Sequence, residues 1–199
     1  MVRFPLLFAI AALLCATALQ AQDEAPPAQE GRPPLFVSLL IGPNVTTWSN
    51  VKPGFGVGVA AGQVINERTC IGVEVMYLYN TMDSETYWGT TVRGDLQQIP
   101  VLATLRRDIR PLGDNTGWSL QLCGSVGAVS QKLTAKAYGV SASQSQWAFA
   151  LGGQAMAVYK VDDSTSFNLG LRIIWTAKTD LNERAGANIM PTAGFSIRF

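Results

Sequence analysis

The chain contains no histidine. That absence removes Ser-His nucleophilic triads, histidine general bases and histidine metal sites. Charge is scarce as well: Asp, Glu, Lys and Arg make up 15% of the residues, against about 25% in ordinary soluble domains. There are three cysteines, and no two have metal-ligand spacing. Beyond residue 21, no apolar run approaches the ~20 residues of a membrane-spanning helix. Yet 48% of the chain is hydrophobic. Low charge, high apolar content and no helical span together point to a membrane crossed by strands.

The start of the chain reads differently. Arg3 precedes an apolar run, Phe4 to Leu14, and small residues follow at Ala16, Ala18 and Ala21. This is the pattern of a secretory signal peptide, with cleavage expected after Ala21. The run is too short to cross ~30 Å of hydrocarbon. Removing residues 1–21 takes Arg3 from the 15 basic residues and none of the 14 acidic ones, leaving a neutral chain. Neutrality gives no electrostatic footprint for nucleic acid. Residues 22–34 (QDEAPPAQEGRPP) are polar and proline-rich, and are expected to be a disordered lead-in. Residues 35–199 form the one domain. Cys15 leaves with the signal peptide. Cys70 and Cys123 fall in different strands with a third between them, so two small buried thiols are expected.

From Leu35 onward the period is two. Strands are expected at 35–44, 53–64, 70–80, 96–106, 117–130, 146–161, 165–178 and 188–199. The second sets Phe55, Val57, Val59 and Ala61 against Gly54, Gly56, Gly58, Ala60 and Gly62. The third sets Ile71, Val73, Val75, Tyr77 and Tyr79 against Gly72, Glu74, Met76 and Leu78. In the fourth, Leu96 is out of phase with the outward set Ile99, Val101, Ala103 and Leu105. An even strand count with alternating short and long connections fits an eight-stranded antiparallel up-and-down transmembrane β-barrel, an all-β fold. The segment from Arg107 to Thr116 breaks the alternation, since it reads as a ten-residue turn on the short-turn side. Pro100 removes a ladder donor inside a strand, so a local bulge is expected there.

A soluble barrel with an apolar interior is the rival. Its outside would carry many Lys and Glu. Here the second face of the strands is mainly Gly, Ala, Ser, Gln and Asn, which suits a narrow filled lumen. The large apolar face then meets lipid. Aromatics gather near strand ends: Tyr77, Tyr79, Trp147 and Trp175 at one rim, and Trp118, Tyr159, Phe167 and Phe199 at the other. They are expected to form two interfacial girdles.

The last strand, Thr192-Ala-Gly-Phe-Ser-Ile-Arg-Phe199, puts Ala193, Phe195, Ile197 and Phe199 on one face. Its spacing of Thr192, Gly194, Phe195, Ile197 and Phe199 resembles the terminal signal read by the barrel-assembly machinery of bacterial outer membranes. Two further segments carry a family resemblance. Lys52-Pro-Gly-Phe-Gly-Val-Gly-Val59 leads into Ile71-Gly-Val-Glu-Val-Met-Tyr-Leu-Tyr79, and Leu96-Gln-Gln-Ile-Pro-Val-Leu102 follows. This order resembles the PorT-like outer-membrane β-barrels, related in architecture to the OmpA/OmpX-type small barrels. The usual Tyr-Leu-Glu-Ile-Pro-Leu element is matched here at Ile99 and Pro100, while Leu96, Gln97 and Gln98 depart from it. The resemblance implies a barrel in the outer-membrane lipid and assistance to secretion as one role. It carries over no catalytic residues.

No catalytic, metal or cofactor site emerges. Gly54 to Gly62 precedes no helix and so is not a phosphate cradle. Asp83 and Glu85, with Tyr87 and Trp88, and Glu183 with Arg184, read as solvated loops. Glu74, Arg172, Arg106 and Arg198 face the lumen and are expected to form a charge network that plugs it, Glu74 pairing first with Arg172. The expected function is a non-enzymatic, structural or partner-binding envelope component. A narrow ion- or solute-conducting pore and a secreted ligand-binding barrel are the alternatives.

Overall fold

A computed structural model describes residues 34–66, 68–87, 90–111, 117–137, 140–180 and 185–199. The signal peptide, nearly all of the lead-in, Trp88, Glu183 and Arg184 lie outside the described residues. Strands run as β1 (Leu35–Thr46), β2 (Gly54–Asn66), β3 (Thr69–Thr81), β4 (Glu85–Tyr87), β5 (Thr90–Pro111), β6 (Trp118–Ala137), β7 (Val140–Lys160), β8 (Thr165–Thr176) and β9 (Gly186–Arg198). Their sheet order is β3-β2-β1-β9-β8-β7-β6-β5, closed by pairing of β3 with β5. Every pairing is antiparallel. The result is a closed eight-stranded barrel, with β4 as a three-residue addition against the start of β5.

The period of two sets the two faces. Along β1, Phe36, Ser38, Leu40 and Asn44 are buried, while Leu35, Ile41 and Val45 are exposed. Along β3, Glu74, Met76, Leu78 and Asn80 are buried, while Ile71, Val73 and Val75 are exposed. The exposed set is a continuous apolar band around the wall. Leu105, Val126, Leu151, Leu171 and Ile173 extend it around β5 to β8. Facing water, each such side chain would forgo roughly 1.5–3 kcal/mol. Facing hydrocarbon it forgoes nothing, which is why a barrel with this band resides in a membrane.

Three expectations change. Pro100 carries no bulge. Val75 pairs with Val101 and Leu78 with Gln98 in one unbroken register; only the pairs at Ile99 and Pro100 drop out against β3. A missing N–H costs one ladder bond without inserting a residue. The register does shift at Asp108/Arg110 on β5 and at Val64/Asn66 on β2. The first half of the segment expected as a ten-residue turn, Arg107–Pro111, is strand, since β5 continues to Pro111, and residues 112–116 lie outside the described residues. Likewise β6 runs on to Ala137 and β7 starts at Val140, in place of a loop from Gln131 to Ser145. Both differences have one cause: charged or hydroxyl residues (Arg107, Lys132, Thr134, Lys136) interrupt the outward apolar set, so these extensions lack the sustained apolar alternation that marks a strand.

Candidate functional site

The lumen is built in layers. In its middle, Glu74 on β3 lies with Oε1 2.9 Å from Arg172 Nη2 and Oε2 3.7 Å from Arg106 Nη2. All three side chains are buried. Arg172 Nη1 donates to Gln154 Oε1 (3.0 Å) and Nη2 to Ser125 Oγ (3.3 Å). Gln154 in turn donates to Thr192 Oγ1 (3.1 Å). Arg106 Nη1 donates to Ser38 Oγ (2.9 Å), and its guanidinium lies 4.9 Å over the Phe36 ring, a cation–π distance. Arg198 does not join this group. It sits 3.9 Å from Asp108, which also accepts a hydrogen bond from Gln121 (2.7 Å). Asp108 shares the inward parity of Arg106, and extending the fourth expected strand by two residues would find it.

Next to the charged layer is an apolar one. Met76, Leu78, Leu102, Val129, Ala150, Ile174 and Met190 pack together with almost no exposure. Leu102 thus belongs inside, and so does the out-of-phase Leu96. The glycines of β2 make room for these side chains. A Cβ at Gly56 would stand 2.5 Å from Met190 Sδ, and one at Gly58 would stand 2.8 Å from Met76 Cγ. Beyond the apolar layer lies an amide layer. Asn44 donates to Asn80 Oδ1 (2.7 Å) and to Asn188 Oδ1 (3.2 Å). Sequence reasoning misses the apolar layer because its residues are scattered over several strands and stand among Gly, Gln and Asn.

At the upper rim, β5, β6 and β7 have 22, 20 and 21 residues, against 12 or 13 for the other barrel strands. The excess forms a sheet beyond the barrel. One side of it is covered by β4 on β5. The other side is β7. There β8 pairs only from Ala150 onward, and Gln146 donates to Asp180 (3.2 Å). Val140–Ser145 pairs with β6 on one side and, among the described residues, meets no strand on the other. Val140 is 72% exposed, and Trp147, just below, is 65% exposed. The open edge reads Val-Ser-Ala-Ser-Gln-Ser and has no charge or proline to guard it. Asp83, read from the sequence as part of a solvated loop, stays exposed and pairs with Lys52 (3.1 Å). Among the described residues no cluster suits a metal ion.

The aromatics are placed as follows. Trp118 pairs with Tyr159, Tyr159 with Phe167, and Phe167 with Phe195, an unbroken cross-strand row on β6 to β9. The Trp118 and Tyr159 rings are 5.0 Å apart. At the opposite end, Phe55 contacts Tyr77 and Tyr79 at 6.4 and 5.7 Å. Tyr79 Oη donates to Asp95 (2.9 Å). Trp175 is outward on β8. Phe199 and Leu35 exchange two backbone hydrogen bonds, which join the chain end to the start of β1. Along β9, Thr192 is buried in the lumen, and Phe195 pairs with the outward Phe167. Cys70 and Cys123 are separate buried thiols, with β5 between their strands.

Solved structures share the architecture. Neisserial surface protein A matches with a TM-score of 0.59 at 16% identity, covering 83% of this chain and 97% of that one. Ail, the attachment invasion locus protein of Yersinia pestis, matches at 0.56 and 18%, covering 84% and 99%. A major outer membrane protein from Thermus thermophilus matches at 0.51 and 14%, covering 83% and 99%. At such identities the likeness is one of fold. No curated protein matches the sequence. Residues 8–199 match the family described as outer membrane protein beta-barrel domain, and the chain, a closed eight-stranded barrel of the bacterial outer membrane, belongs to that family.

Proposed function

We propose that this chain is a non-enzymatic envelope protein that engages an extended polypeptide partner at its outer rim, with the lumen acting as a plug. The observation that carries this reading is the open edge of β7 at Val140–Ser145. Its N–H and C=O groups on the side away from β6, which meet no strand among the described residues, are a template for one more strand. The apolar layer and the buried Glu74–Arg172–Arg106 group support a closed lumen, and eight strands leave width only for side chains. A secretion-associated partner, implied by the PorT-like resemblance, is one form of this role. The two aromatic ends serve as interfacial girdles, and Phe199 as part of the terminal assembly signal. Deleting Phe199 should lower the barrel recovered in outer membranes; unchanged recovery would remove that signal from the reading.

The main test is a photo-crosslinker at Gln144 in cells. It should yield a defined adduct in the outer-membrane fraction, and the adduct should vanish when Ser141 and Ser143 are both changed to proline. Adducts unaffected by the prolines would sink the edge reading. Discrete conductance steps of the purified barrel in a planar bilayer would favour the pore over the plug.

A further inference from the structure

The mid-lumen group is unbalanced. Arg106 and Arg172 bring two positive charges, and both contact the same single carboxylate, Glu74. Arg198 and Asp108 pair with each other and cancel. Among the described residues, these lumen charges thus sum to one uncompensated positive charge. Polar groups here also lack hydrogen bonds. Arg106 Nε and Nη2, Arg172 Nε, Thr104 Oγ1 and both Glu74 carboxylate oxygens are buried without a hydrogen-bond partner. They converge. Thr104 stands two residues from Arg106 on the same face of β5 and pairs across to Ser125, the residue that Arg172 Nη2 touches. An isolated buried charge is costly unless it is paired. Neutral water could satisfy donors but would leave the charge.

We infer that the lumen holds a small monovalent anion of halide size, bound by Arg106, Arg172 and Thr104 beside Glu74. The anion brings the group to charge balance: two guanidinium ions against one carboxylate and one halide. The apolar layer separates this site from the amide layer, and the anion is enclosed as the barrel closes. It is therefore a structural ion, taken up on folding, and its presence does not depend on any partner at the rim.

The test is refolding into detergent micelles in mixtures of potassium chloride and potassium gluconate at constant ionic strength. Gluconate is too large to be enclosed. Once chloride saturates the site, the folding equilibrium constant should rise about tenfold per tenfold increase in chloride, the one-site limit. Arg106→Gln should flatten that dependence, and Glu74→Gln, which adds one more uncompensated charge, should shift saturation to lower chloride. Crystals of barrel refolded in bromide should show an anomalous peak in contact with Arg106 and Arg172. Equal stability in chloride and gluconate would overturn the inference. So would a chloride dependence that survives Arg106→Gln. If neither variant folds, the bromide map decides: a peak only on the outer surface, or none, overturns it.

Discussion

The lumen and the rim sheet are made from the same strands and obey opposite rules. Inside, β5 and β6 contribute Leu102, Thr104, Arg106, Val129 and Gln131, all buried. Outside the barrel, the same two strands continue as a sheet beyond the wall. A side chain in the lumen answers to shape and charge from every direction. One on the rim answers only to its own ladder and to whatever arrives from outside. Substitutions should therefore cost stability in the first region and binding in the second.

The largest expected effect is in the charged layer. Glu74→Ala leaves two guanidinium groups buried without their carboxylate and should cost roughly 3–5 kcal/mol. Arg172→Ala leaves Glu74 with Arg106 and should cost less, and the double variant should cost less than the sum, as groups in contact are not additive. Urea unfolding in detergent measures all three. Additive losses would break the comparison, because the lumen would then behave like independent surface sites.

The apolar layer comes next. Leu102→Ala should cost about 3 kcal/mol through lost transfer energy and the cavity left behind. The same unfolding assay applies, and a loss under about 0.5 kcal/mol, the scale of surface substitutions, would mean that the layer is loosely packed. At the rim, Ser143→Lys with Ser145→Lys should change stability by no more than about 0.5 kcal/mol while abolishing partner crosslinking, since edge charges repel an added strand. Destabilisation as large as that of Leu102→Ala would show that the rim is part of the folding core.

The smallest effect belongs to the short turn between β7 and β8. The Ser164 hydroxyl and the backbone N–H groups of Thr165 and Ser164 donate to Asp162 and hold its carboxyl below its ordinary value of 3.8. A lowered folded-state value means that the turn contributes stability above the unfolded value and loses it as pH falls through the folded one. As pH falls below about 4, the wild type should lose slightly more stability than Asp162→Ala. Identical acid limbs would show that the turn tolerates loss of its cap.

The wall is legible in the sequence because its period of two is strong. Every barrel strand has a core segment with apolar residues facing one way, and each of the eight overlaps its expected range, whereas β4 (Glu85–Tyr87) falls where the sequence reads as a solvated loop. Parity alone turns Glu74, Arg106 and Arg172 inward. What parity cannot say is which inward residues meet, since that depends on strand tilt and stagger around a closed barrel. Hence parity groups Arg198 with Glu74, although it lies near Asp108. The rim extensions are illegible for a different reason. Lys132, Thr134 and Lys136 face outward where no lipid selects apolar residues, so Gln131 to Ser145 reads as a loop. The open edge is a property of unequal strand lengths, which no single strand reveals.

The fit of the lumen methionines against glycine has a chemical consequence. Met76 and Met190 press on Gly58 and Gly56 so closely that not even a methyl group would fit between. A sulfoxide oxygen would be larger in effect and polar. In the assembled barrel both sulfurs lie behind a wall of side chains and lipid, out of reach of peroxide. Before closure they are open to it. Met76 and Met190 are thus open to oxidants only before the barrel closes, and the damage would be read as failure to assemble. Peroxide applied before refolding should sharply reduce barrel yield, while the same dose applied afterwards should leave Met76 and Met190 unoxidised by mass spectrometry. Equal oxidation in both cases would mean that the layer admits solvent.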